Sequence, residues 1–162
     1  LEPINGDKYF DLMVKGFSHL ELRETEQMTI FREGVFKLRW LSRVWFNSYI
    51  TFADELDLDA LKSYEMDCFT LARRTRNLMG ELLVCNAVVV SGSVSEDAAE
   101  YARTRPTKSP MMSRYPVVVD LARGETHYYT GPILYGILYE KFEREYIHGH
   151  FALPLEALKG GR

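Results

Sequence analysis

Between Thr25 and Phe52 the apolar residues Met28, Phe31, Val35, Leu38, Trp45 and Tyr49 recur at three- and four-residue steps. That spacing predicts one long amphipathic helix. On its helical wheel Arg32, Arg39 and Arg43 form an adjoining stripe with Phe36 and Trp40 at its edge. Gly34 interrupts the pattern and costs a helix interior roughly 0.5–1 kcal/mol relative to Ala. It therefore marks overriding packing, a close helix crossing or a break.

The same procedure orders the rest of the chain. Asp7 is placed to cap a helix to about Leu22 that buries Tyr9, Phe10, Met13 and Val14. After the acidic connector 54–59, Asp57 or Asp59 caps a helix from about Ala60 to Leu83. Its inner face carries Leu61, Tyr64, Cys68, Leu71, Ala72, Thr75, Met79 and Leu82. Val84 to Val94 is rich in β-branched residues and reads as a strand, and Ser95 caps a short helix to Ala102. The segment 103–116 holds three prolines without periodicity and reads as a loop. Val117–Val119, a turn at 122–125 and Thr126–Tyr129 read as a hairpin. Tyr135, Tyr139, Phe142 and Tyr146 share one face of a helix opened by Pro132, and residues 147–153 read as a last strand.

These elements predict an α+β, helix-dominated fold in a single domain, 1–162. Residues 1–83 would form an N-terminal helical hairpin or three-helix bundle. Residues 84–162 would add a small C-terminal antiparallel sheet and one further helix. At 162 residues the chain is long enough to bury a core without metal or disulfide support. Apolar residues make up 46% and charged residues 27%, which is ordinary globular composition. Aromatics reach 13%, enough to serve contacts as well as packing.

The net charge of −3 argues nothing about partners, but its distribution does. Acidic residues gather at 21–26 and 54–67, basic ones at 32–43, 73–76 and 103–114. Cations replace counterions on phosphates, and aromatic faces accept unpaired bases. Arg32, Arg39, Arg43, Phe36 and Trp40 offer both, with Arg73, Arg76, Arg103, Arg105, Lys108 and Arg114 as further contacts. The leading expectation is therefore a non-enzymatic nucleic-acid-binding subunit of a larger complex, with single-stranded nucleic acid as partner. No RRM, KH, OB or helix-turn-helix signature accompanies these residues. A solvated basic surface paired with the acidic connector accounts for them as well.

Two further expectations come from other residues. The C-terminal tyrosines 128, 129, 135, 139 and 146 suit a protein–protein interaction module or homo-oligomer contact, although a stripe at helical spacing also suits a core. His148 and His150 would point to one face of a strand, with His127 on a second strand, and these three are the metal candidates for a small metal-dependent enzyme. A His-x-His pair on a strand is similar to the metal-binding motif of HUH-type rolling-circle nucleases. That resemblance covers three residues. Those enzymes place a catalytic Tyr on a later helix, and none of the twelve residues after His150 is Tyr.

No phosphate loop, dinucleotide fingerprint, nucleophile elbow or zincin motif occurs, so no cofactor is implied. Cys68 and Cys85 lack zinc-site spacing and are expected as buried free thiols, which fits a reducing, cytoplasmic location. No apolar run approaches the ~20 residues a membrane helix needs.

Overall fold

A computed structural model describes residues 4–17, 21–24, 28–37, 42–75, 81–104, 106–109, 112–131 and 137–160. Its frame is a mixed seven-stranded sheet, where the sequence pattern predicts a helical bundle beside a small antiparallel sheet. Helix α1 (Gly6–Gly16) precedes strands β1 (Glu21–Glu24), β2 (Thr29–Lys37) and β3 (Ser42–Leu56). Then follow α2 (Leu58–Thr75), β4 (Glu81–Val94), α3 (Glu96–Arg103), β5 (Thr107–Ser109), β6 (Met112–Asp120) and β7 (Glu125–His127). The chain closes with α4 (Ile137–Ile147), a π-helical turn (His148–Ala152) and α5 (Leu153–Gly160).

The sheet order is β1-β2-β3-β4-β6-β5, and β7 also pairs with β6. The first three strands form an antiparallel meander, and β3, β4 and β6 run parallel. Parallel neighbours need long crossovers, supplied here by α2 and α3. Both crossovers step the same way along the sheet, so a common handedness puts both helices on one face. Alternation along β4 divides the core accordingly. Leu83, Cys85, Ala87 and Val89 meet Tyr9 and Met13 of α1, Tyr146 and Ile147 of α4, Phe151 of the π turn and Leu155 of α5. Val84, Val88 and Val90 face the other way, toward Cys68 and Ala72 of α2 and Ala98, Ala99 and Ala102 of α3.

The long helix expected over 25–52 is instead β2 and β3, paired from Thr29↔Ile50 to Lys37↔Ser42. Helices cover β3 on both faces, so it carries apolar residues at odd and even positions and hides the two-residue period. Gly34 sits opposite Trp45, and a Cβ there would lie 2.6 Å from the indole ring. The glycine is thus the seat of a cross-strand tryptophan, and no helix break exists. The helix expected over 60–83 ends at Thr75, and Glu81–Leu83 already belong to β4. The loop expected over 103–116 contains β5 and the start of β6, and the strand expected over 147–153 is the π turn running into α5.

Local capping was legible at Asp57 and Ser95 but not at Asp7, since α1 starts on Asn5, whose Oδ1 accepts from Lys8 N at 3.1 Å, and ends at Gly16 rather than near Leu22. Asp57 Oδ1 accepts from Ala60 N at 2.8 Å, and Ser95 Oγ accepts from Ala98 N at 3.2 Å. The expected hairpin is β6–β7, whose turn places Gly124 at φ +66°, where glycine avoids a Cβ penalty. Cys68 and Cys85 are free and buried. Burial pushes the Cys68 thiol up to about 12 and raises that of Cys85, so neither is a ready nucleophile. Among the described residues no helix is long and apolar enough to cross a membrane.

Candidate functional site

Two places gather the chemistry. The first is on the face covered by α2. Register runs Arg32↔Asn47↔Val84↔Arg114, one row across four strands. At ~4.8 Å per strand the row spans roughly 14 Å. Both ends are guanidiniums on aromatic rings. Arg32 Cζ lies 4.5 Å from the Trp45 ring, and Arg114 Cζ lies 4.6 Å from Phe69. Phe69 also carries Arg73 at 5.7 Å.

The two ends differ in what holds them. Arg114 Nη1 is 3.6 Å from Glu65 Oε1, and Glu65 accepts from Tyr101 Oη at 2.6 Å, so Arg114 is tied into the α2–α3 junction. Arg32 is half-buried, and its Nε has no hydrogen-bond partner among the described residues. Arg73 and Arg74 are exposed on the last turns of α2.

The remaining nucleic-acid candidates do not form the expected helical stripe. Phe36 and Arg43 are cross-strand partners in β2 and β3, and Lys108 pairs with Ser113 at the β5 edge. Arg39, Trp40, Arg76 and Arg105 lie outside the described residues. Arg103 belongs to the second place.

That second place is a cleft of about 490 Å³ where α3, β7, the π turn and α5 meet. Arg103 comes from the end of α3 and His127 from β7, whose pairing with Val118 turns the ring toward the α3 face. The Arg103 Nη2 donates to His127 Nδ1 at 2.7 Å. Guanidinium is donor only, so Nδ1 accepts and the neutral ring carries its proton on Nε2. Burial first, and the Arg103 charge second, hold His127 below the usual histidine range. Its Nε2 is buried without a hydrogen-bond partner, and the nearest carboxylate oxygen, Glu125 Oε2, is 3.8 Å away.

The opposite wall comes from the C-terminal helices. Tyr128 Oη and His148 Nδ1 are 3.2 Å apart. Burial, then the Glu156 carboxylate, raises the Tyr128 phenol above its usual value. Lys159 Nζ donates to Gly124 O at 2.9 Å and fastens α5 to the turn before β7. Arg144 Nη1 donates to Thr130 O at 2.9 Å and Gly131 O at 3.0 Å, fixing the segment after β7. The sequence reading missed Thr130, Glu156 and Lys159. Their only signal is that Ala152, Leu155, Glu156 and Lys159 stand at helical spacing on one face.

The three metal candidates do not converge. His127 and His148 line the cleft, but His150 stacks on Phe17 at 4.1 Å and meets Tyr146 edge-on at 4.3 Å. A helical turn sends residues two apart in different directions, whereas the expected strand would have aligned them. Among the described residues no group of three or more His, Cys, Asp or Glu is arranged to hold a metal ion. The tyrosine stripe also divides. Tyr146 stacks on Phe46 at 4.3 Å in the core, Tyr135 lies outside the described residues, and Tyr139 falls in α4.

A smaller pocket of about 190 Å³ lies at the carboxyl ends of β3 and β4, lined by Gly6, Phe52, Asp54 and Ser91. Ser91 Oγ donates to Asp54 Oδ1 at 2.8 Å, so its polar groups already satisfy each other. The chain matches no protein-family model, and no curated protein is significantly similar to it.

Proposed function

We propose that the protein binds single-stranded nucleic acid without acting on it, through the face that presents Arg32 on Trp45 and Arg73 beside Phe69. The observation that carries this reading is the Arg32–Trp45 pair at 4.5 Å. A guanidinium held against an indole has lost part of its rotamer freedom before it meets a phosphate. Arg73 and Arg74 add exposed charge from α2. Arg114 contributes less, because Glu65 already neutralises it. The second reading, a protein-interaction surface on the tyrosine helix, is weakened because Phe142 and Tyr146 turn inward onto Phe46.

The test is fluorescence anisotropy with labelled single-stranded RNA and DNA across a salt series. Two to three neutralised phosphates give a log–log slope of roughly −1.5 to −2 on single strands. R32Q/R73Q should flatten that slope. Absence of binding to either polymer at low salt overturns the reading.

A further inference from the structure

We propose that the Arg103–His127 hydrogen bond is a proton-operated latch, which ties the end of α3 to β7 while the imidazole is neutral and releases it when the imidazole is charged. The latch follows from counting donors and acceptors. The Arg103 guanidinium can only donate, so its 2.7 Å contact requires a lone pair on His127 Nδ1. A proton on Nδ1 removes that lone pair and sets two cations with facing N–H groups against each other. Burial decides which partner moves. His127 is 3% exposed, and its backbone pairs with Val118 of β6. The Arg103 side chain is 47% exposed, on the last turn of α3. The arginine therefore swings out, and Glu96 on the same helix, already 3.7 Å from its Nη1, receives it.

The charged ring has its own partner, because Glu125 Oε2 lies 3.8 Å from Nε2. Proton uptake thus exchanges one contact between α3 and β7 for two contacts, each within a single element. A charge change that moves a side chain between two partners is how histidine switches work. The other charges around the ring leave this exchange intact. Asp120 closes β6 and Arg123 lies in the following turn, while His148 of the π turn and Glu156 and Lys159 of α5 line the cleft that His127 borders. Arg123 is drawn off by Asp120 at 3.8 Å and Glu96 at 4.0 Å, which leaves Arg103 as the cation bonded to the ring. Burial and the Arg103 charge favour the neutral ring, so the latch is closed at neutral pH and opens on acidification below the ordinary histidine range. The Arg32 face shares none of these residues, so the inference stands apart from the strand-binding reading.

The experiment follows imidazole and guanidinium ¹⁵N resonances of the full chain from about pH 8 to about pH 4.5, across the histidine range. At the upper end His127 should be the Nε2–H tautomer, and the Arg103 Nη signals should be resolved by slow rotation of a held guanidinium. On acidification both should change with one shared midpoint, below the ordinary histidine value, and amide exchange at Ala102, Arg103 and Thr104 should quicken with it. R103M removes both the donor and the charge, and should shift the His127 midpoint upward. E125Q removes the carboxylate that receives the charged ring, and should shift the midpoint downward. Arg103 is half-exposed and Glu125 is exposed, so neither variant threatens the core. An Nδ1–H tautomer at the upper end, Arg103 signals indifferent to the His127 midpoint, or a midpoint that R103M leaves in place overturns the proposal.

Discussion

Tyr115 Oη donates to Glu143 Oε2 at 2.5 Å, joining β6 to α4 inside the core under the sheet. Glu143 is 2% exposed, so its carboxylate depends on protein partners rather than water. A hydrogen bond to a charged group contributes roughly 1.5–3 kcal/mol. Y115F should lower stability by about that amount, read as a reduced urea midpoint with an unchanged m-value. A loss below ~0.5 kcal/mol would mean the carboxylate is satisfied without Tyr115.

Glu65 and Arg114 form a largely buried ion pair, with Tyr101 as third member. Removing one partner of such a pair leaves the other charge uncompensated and costs about 3–5 kcal/mol, whereas replacing both with apolar residues is far milder. E65L should therefore be severely destabilising, and E65L/R114M should recover much of the loss. The double-mutant cycle in urea also asks whether Arg114 is structural. Additive effects would free Arg114 for a ligand instead.

Gly34 and Trp45 give a steric prediction. G34V would drive a side chain into the indole, whose nearest carbon is 2.6 Å from the Cβ position. Overpacking of this kind costs about 1–3 kcal/mol. It should also displace Trp45 from Arg32, so the tryptophan emission of G34V should move to the red. An unchanged spectrum and melting temperature would show that the ring does not lie over the glycine.

Short-range signals were readable and long-range ones were not. Asp57 and Ser95 announced helix starts because capping acts over three residues. Gly124 announced a turn through its own backbone freedom. The β2–β3 hairpin was hidden because Trp45, Asn47 and Tyr49 face α2 while Phe46, Ser48 and Ile50 face α1 and α4. Residues buried on both sides match a helical wheel by coincidence. His127 and Arg103 were both noticed, but for different reasons and never together. Their pairing depends on β7 adding to β6 beside α3, which no local pattern encodes. His148 and His150 failed as a pair because the period assigned to them was two, and a helical turn separates them.

His150 is partly buried between Phe17 and Tyr146, and burial lowers its pKa to about 4. In the unfolded chain it returns to ~6.5. Between those values the unfolded state holds a proton that the folded state refuses, so stability rises with pH across that window and falls as pH drops through it. At pH 5 the loss relative to pH 7.5 is at most about 2 kcal/mol from this residue, since residual solvation screens the effect. Arg123 and Glu125 face His127 rather than His150, and His127, also shifted down, adds in the same direction. H150F should separate the two contributions. A phenyl ring suits the Phe17 and Tyr146 faces and needs no partner for an Nδ1 that has none among the described residues. The variant should thus stay within ~1 kcal/mol of wild type at pH 7.5 and lose less stability on acidification. Urea midpoints at pH 7.5, 6 and 5 measure this. If H150F follows the wild-type curve throughout, the acid sensitivity lies in the His127 cleft, and His150 is merely another aromatic plate of the core.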